Sequence, residues 1–187
     1  MKDWLFLSGS ACLDFINTYR DRWSPDPRET LVAPAKLGLW AVSCRLADQP
    51  FDATAATLRE ARCFREVTYA LLRPSADEPD PQHITLINTY AGRPASHHLA
   101  LEGNQLVTTQ HQINSTNELL GALADDLVAL VDDPGAHRVR ECEHDRCGLL
   151  FLDTSRADKR RWCSMRRCGN RMKAQRHASR LGTKPGG

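Results

Sequence analysis

The chain has 187 residues, 41% of them hydrophobic, and 25 Lys+Arg against 23 Asp+Glu give a formal net charge of +2. That length suits one ordinary domain with a small addition, and no apolar run nears the roughly 20 residues a bilayer helix needs, which excludes a helical membrane protein. The opening "MKDWLFLSGSACLDF" is too short in its apolar part for a signal peptide, so a soluble, cytoplasmic protein is expected, and its seven cysteines point to metal binding or thiol chemistry rather than disulfides.

In chain order, "WLFLSGSACLDFINTYRDRW" opens with an apolar stretch and a Gly-Ser break. A helix-compatible run follows in which Leu13, Ile16 and Tyr19 share a face. "SPDPRET" reads as a loop, because Pro25 and Pro27 lack donors and restrict the residues before them. A short helix is predicted from Pro34 to Leu46, with Leu37, Trp40 and Cys44 at helical spacing. The clearest helix lies in "FDATAATLREARCFREVTYALLRP", capped by Asp52 or Thr54 and stopped by Pro74. After an acidic, proline-rich connection, "QHITLINTYAG" predicts a short helix ended by Gly92. "HHLALEGNQLVTTQHQ" predicts a hairpin turning at Gly103-Asn104. A second strong helix follows in "NSTNELLGALADDLVALVDDPG", where Ser115 and Glu118 have capping-box spacing.

Beyond Pro134 the composition changes abruptly. Residues 137–187 hold 14 Lys+Arg against five acids, whereas residues 1–136 hold 11 against 18. The split predicts an acidic α+β body over 1–136, mainly helical with a small hairpin, and a basic module over 137–187 that faces a polyanion.

That module contains Cys142, Cys147, Cys163 and Cys168 in the spacing C-x4-C-x15-C-x4-C, each pair ending in Cys-Gly. Two short-spaced thiolate pairs supply the four soft ligands of a closed tetrahedral zinc site, which leaves no vacant position for catalysis. A redox pair would use a two-residue gap beside a βαβ pattern, and unrelated thiols would not repeat the same knuckle. His144 inside the first knuckle is an alternative ligand. "GLLFLDTS" and "KRRWC" are expected to form two strands joining the pairs, with a helix over "CGNRMKAQRHASRLG" closed by Gly182, a treble-clef-like layout with one structural Zn2+. Cys12, Cys44 and Cys63 are expected to be buried and inert.

At 100° per residue, Lys173, Arg176 and Arg180 fall on one face of the last helix, joined by Arg166. Ala174, Ala178 and Leu181 fall on a neighbouring face expected to pack on the hairpin or body. With Arg160, Arg161, Arg167 and Arg171 these cations form a footprint for phosphates, DNA before RNA. Trp162 is expected to cover the knuckle rather than stack on a base, and Asn170 to bond knuckle backbone. No Ser-His-Asp signature, paired carboxylates or nucleotide loop is visible, so an enzyme is not expected.

The stretch "CGLLFLDTSRADKRRWCSMRRCGNRMKAQRHASR" resembles the CGNR zinc finger, named for Cys168-Gly169-Asn170-Arg171, and covers about residues 137–181. The earlier "CLDFINTYRD", with the helical body after it, resembles the ABATE domain that precedes this finger in bacterial proteins. The resemblance implies a stress-induced transcriptional regulator with Cys142, Cys147, Cys163 and Cys168 as zinc ligands and a finger that binds nucleic acid. An RNA-binding protein and a zinc-stabilised protein–protein module are the rival readings. A homodimer and a small-molecule effector on the body stay open.

Overall fold

The computed structural model describes residues 4–74, 78–92, 97–110, 113–133 and 138–182, and thirteen elements lie among these described residues. Helix α1 (Ala11–Ile16) is followed by a ribbon of β1 (Tyr19–Arg20) and β2 (Arg28–Glu29), then α2 (Ala35–Ser43), α3 (Ala55–Leu72) and α4 (Pro81–Tyr90). A hairpin of β3 (His97–Glu102) and β4 (Gln105–Gln110) precedes α5 (Thr116–Asp132). The last part holds β5 (Val139–Glu141), β6 (Leu150–Leu152), a π-helical turn (Met165–Gly169) and α6 (Asn170–Gly182). The class is α+β, and every strand pair is antiparallel. Among the described residues no helix is long and apolar enough to cross a membrane.

The helix starts follow from side chains that satisfy the orphan amides of a first turn. At α3 the Thr54 hydroxyl accepts from the Thr57 amide at 3.2 Å, while the Thr57 hydroxyl accepts from the Thr54 amide at 2.9 Å. At α4 Asp80 accepts from the Gln82 amide at 2.8 Å, with Pro81 in the first position, where its missing N–H costs nothing. At α5 Ser115 accepts from the Glu118 amide at 3.3 Å, and Glu118 reaches back to the Asn114 amide, one residue beyond its expected target.

Helix α1 is buried all round: Cys12, Leu13, Phe15 and Ile16 are all within the core. Six residues cannot hold a helix alone, so tertiary contacts hold this one. Asp126 of α5 supplies its cap from another element, accepting from the Ser10 hydroxyl at 2.6 Å and the Cys12 amide at 2.7 Å. Trp40 meets the Phe15 ring edge-on at 4.9 Å, and Phe64 meets Tyr90 in the same way at 5.5 Å. Gly38 is required here, since a Cβ on it would stand 2.4 Å from the Phe51 carbonyl oxygen.

Three expectations for the body are corrected. Tyr19 leaves α1 and pairs with Glu29, so part of "SPDPRET" is strand rather than loop. The Arg65 guanidinium holds that strand, donating to both Glu29 oxygens at 2.8 and 2.7 Å. Cys63 is exposed and Cys44 half-buried, and Cys12 alone of the three isolated thiols is buried. Burial pushes the Cys44 thiol up to about 12, and burial raises that of Cys12 as well.

Candidate metal centre

The first cysteine pair sits in the loop between β5 and β6. Register pairs Glu141 with Leu150, and the Cys142 amide donates to the Leu149 carbonyl at 2.9 Å, extending the ladder into the knuckle. The Cys147 amide closes a tight turn on the His144 carbonyl at 2.9 Å. Gly148 then takes φ +63°, and a Cβ there would meet Arg22 Cβ at 2.8 Å and the Trp23 indole nitrogen at 2.9 Å. Both the turn and the close approach of the body call for glycine.

The second pair is placed by a loop, a correction to the expected second strand in "KRRWC". The Arg160 amide, which a ladder would need, donates to the Asp153 carboxylate at 2.8 Å. Asp153 is fully buried and also accepts from the Ser155 amide at 2.8 Å. Desolvation opposes its ionisation, but these hydrogen bonds and Arg138 hold its pKa down to about 2. The strand partner of β6 is therefore Val139–Glu141, upstream of the first knuckle. Ser164 caps the π-helical turn, accepting from the Arg167 amide at 3.0 Å, and this turn carries Cys168 into the site.

The four sulfurs converge. All are buried and lie within 4.8 Å of one another, Cys147 Sγ to Cys163 Sγ at 3.8 Å and Cys163 Sγ to Cys168 Sγ at 3.6 Å. Zinc–sulfur bonds of about 2.3 Å in a tetrahedron put sulfurs about 3.8 Å apart, so the donor set fits one structural zinc ion. The Cys163 amide points at Cys142 Sγ at 3.4 Å, the kind of N–H that supports a thiolate. A second core of Leu149 and Phe151, with Leu5 and Trp162 packed against it, wraps the site, so Trp162 covers the knuckle. His144 is buried but outside the sulfur cluster; its Nδ1 accepts from the Arg146 amide at 3.2 Å.

The expected nucleic-acid residues divide by what they touch. Arg160 is built into the module: its guanidinium carbon lies 4.3 Å from the Phe151 ring centroid, and it donates to the carbonyls of Trp162 and Cys163. Arg167 is largely buried and donates to Asp21 of the body at 2.6 Å. Arg161 is half exposed and pairs with Glu143 at 2.5 Å. Arg166, Arg171 and Lys173 are exposed, with no ion pair among the described residues. The side chains of Arg176 and Arg180 lie outside the described residues, as does that of Leu181. Ala174 and Ala178 are exposed, which corrects the expectation that they pack on the hairpin or body. One small methyl at each position offers too little apolar area to hold α6 down against solvation of its neighbours. The Asn170 side chain is also exposed and makes no hydrogen bond to the knuckle among the described residues.

Sequence reasoning missed what fixes the module to the body. Asn17 Nδ2 donates to the Leu150 carbonyl at 2.8 Å, and its Oδ1 accepts from the Leu150 amide at 3.1 Å. The Leu152 amide donates to the Ser8 carbonyl at 2.8 Å and the Arg22 amide to the Cys147 carbonyl at 3.1 Å. The Trp23 indole and the Tyr69 hydroxyl both donate to Glu141, at 2.7 and 3.1 Å. Val139 and Leu150 belong to the core of the body itself.

Residues 9–134 match the family model ABATE, described as "Putative stress-induced transcription regulator". Residues 138–181 match the model of the CGNR zinc finger. No curated protein matches the chain significantly.

Proposed function

Because the chain belongs to the ABATE family and carries a CGNR zinc finger, we propose that it is a DNA-binding transcriptional regulator, with a body over 1–136 and a finger over 137–187. Zinc closes the finger and leaves no open coordination position. The ion's part is to hold the fold, and the contacts to nucleic acid are made by side chains.

One observation carries this reading: Arg166 on the π-helical turn and Arg171 and Lys173 on α6 are exposed without an acidic partner among the described residues, and Ala174 and Ala178 are bare beside them. Arginines engaged in intramolecular pairs would have to break them before meeting phosphate. These do not. A helix that exposes a basic stretch also has the dimensions to enter a major groove. Arg161 extends the track, since its pair with Glu143 is exposed and weak.

The test is selection of bound sequences from a random duplex pool, with and without a chelator, followed by titration of the selected duplex over a range of salt. Enrichment lost on metal removal is expected, with a log–log salt slope near −4.5 for about five phosphate contacts. Preference for structured or single-stranded RNA in competition would move the target class to RNA. Affinity flat in salt would remove the reading.

A further inference from the structure

A cleft of about 740 Å³ opens where the body meets the finger. One wall is the segment at residues 4–7, including Trp4 and the Phe6 ring, which is 41% exposed. Arg20 and Arg28 of the β1–β2 ribbon and Arg166 and Arg171 of the finger line the rest. Among the described residues the one carboxylate in the lining, Asp21, is already taken up by Arg167 at 2.6 Å. Arg28, like Arg166 and Arg171, is exposed with no ion pair among the described residues.

We propose that this cleft binds a nucleoside phosphate. Its volume falls in the range of sites that enclose small organic ligands. Like charges gathered in a concavity repel one another, and an anion relieves that repulsion; guanidinium groups meet phosphate oxygens in paired hydrogen bonds. An inorganic anion would leave the aromatic wall unused. A flat base set against the exposed Phe6 ring would cover it, with the phosphate turned to Arg28, Arg166 and Arg171. The Trp4 ring beside it packs on the body, with Lys36 5.6 Å from its centroid.

The wall is fixed in place. Leu5 packs into the zinc module's core, and Phe6 lies 6.2 Å from the Trp40 ring of the body. The Leu7 and Ser8 amides both donate to Asp14, at 3.0 and 3.1 Å. Arg20 is 6% exposed and sits at the base. The ligand would therefore touch the body and the finger together. The cleft can hold a nucleotide whether or not the finger binds DNA, and because Arg166 and Arg171 belong to both surfaces the two ligands would compete.

Calorimetric titration of the zinc-loaded full chain tests this, using the four nucleoside monophosphates, the matching nucleosides and inorganic phosphate in about 0.1 M salt. At least one nucleotide is expected to bind about tenfold more tightly than both its nucleoside and phosphate. Arg28→Ala, which lies outside the finger, should weaken it about fivefold or more with zinc content and the thermal transition kept. No nucleotide binding below about 1 mM overturns the proposal, as does phosphate binding as tightly as the nucleotide. So does an Arg28→Ala variant that binds normally. If no nucleotide binds and Arg28→Ala weakens duplex DNA instead, the cleft is part of a DNA track and the proposal falls, while the regulator reading stands.

Discussion

Asn17 grips Leu150 by both of its backbone groups, as a neighbouring strand would, from 133 residues away in sequence. The amide fills the free edge of β6, whose other edge is paired with β5. Removing it in Asn17→Ala strands a buried N–H and a buried C=O, which should cost about 2 kcal/mol of stability. Urea unfolding measures that loss, and hydrogen exchange at the Leu150 amide should speed up with it.

Metal removal should have a local effect first. Elemental analysis is expected to find one zinc per chain, and a chelator should abolish ordered signals from the two knuckles and α6 while α3 and α5 keep theirs. Each of Cys142→Ser, Cys147→Ser, Cys163→Ser and Cys168→Ser should weaken zinc binding. Affinity should also fall as pH falls, since protons compete for the same sulfurs.

The arginines should separate into two classes. Arg161→Ala, Arg166→Ala, Arg171→Ala and Lys173→Ala are each expected to reduce the DNA salt slope by about 0.9 with the thermal transition unchanged. Arg167→Ala leaves Asp21 without its partner, and Arg160→Ala bares the carbonyls of Trp162 and Cys163. Both should destabilise the folded protein by about 1–3 kcal/mol. Calorimetry beside salt titration distinguishes the groups.

Gly148→Ala should be among the most damaging small substitutions. It combines a left-handed backbone with a Cβ driven against Arg22 and Trp23, while Gly38→Ala meets the Phe51 backbone at 2.4 Å. Each is expected to cost more than the roughly 1 kcal/mol that glycine's freedom alone accounts for, read from denaturation midpoints.

Acid should weaken the body through Glu29. Burial raises its pKa, but hydrogen bonds and charge from Arg65 more than offset that and leave the carboxyl below its ordinary value. A depressed folded pKa means stability that is full above the unfolded value and lost as pH falls through the folded one. The stability difference between the native chain and Glu29→Gln should accordingly shrink as pH is lowered from about 5.5 to 3. A difference constant across that window would show that Arg65 contributes nothing to the ionised form.

Where structure rests on neighbours in sequence, it was legible. Thr54 and Ser115 mark helix starts because a cap acts over two or three residues, whereas the Asp80 cap was not read. The four cysteines were legible because a tetrahedral ion forces two short pairs with matching turns. The two- and three-residue strands were not, since so short a run has no periodicity to read, and Asp153 drew the Arg160 amide away from the expected ladder. The helix α6 has alanines at helical spacing, but spacing cannot say whether a surface exists to receive them. Arg167 and Asp21, like Asn17 and Leu150, meet only after folding.

Val139 and Leu150 flank the first knuckle yet sit among the side chains of the body. Recombination that carried the segment 138–182 alone into another gene would export a fragment with two greasy side chains bare, and would leave the donor with matching holes. Exchange by cassette is thus penalised at both ends, and the two segments are expected to be inherited as a pair.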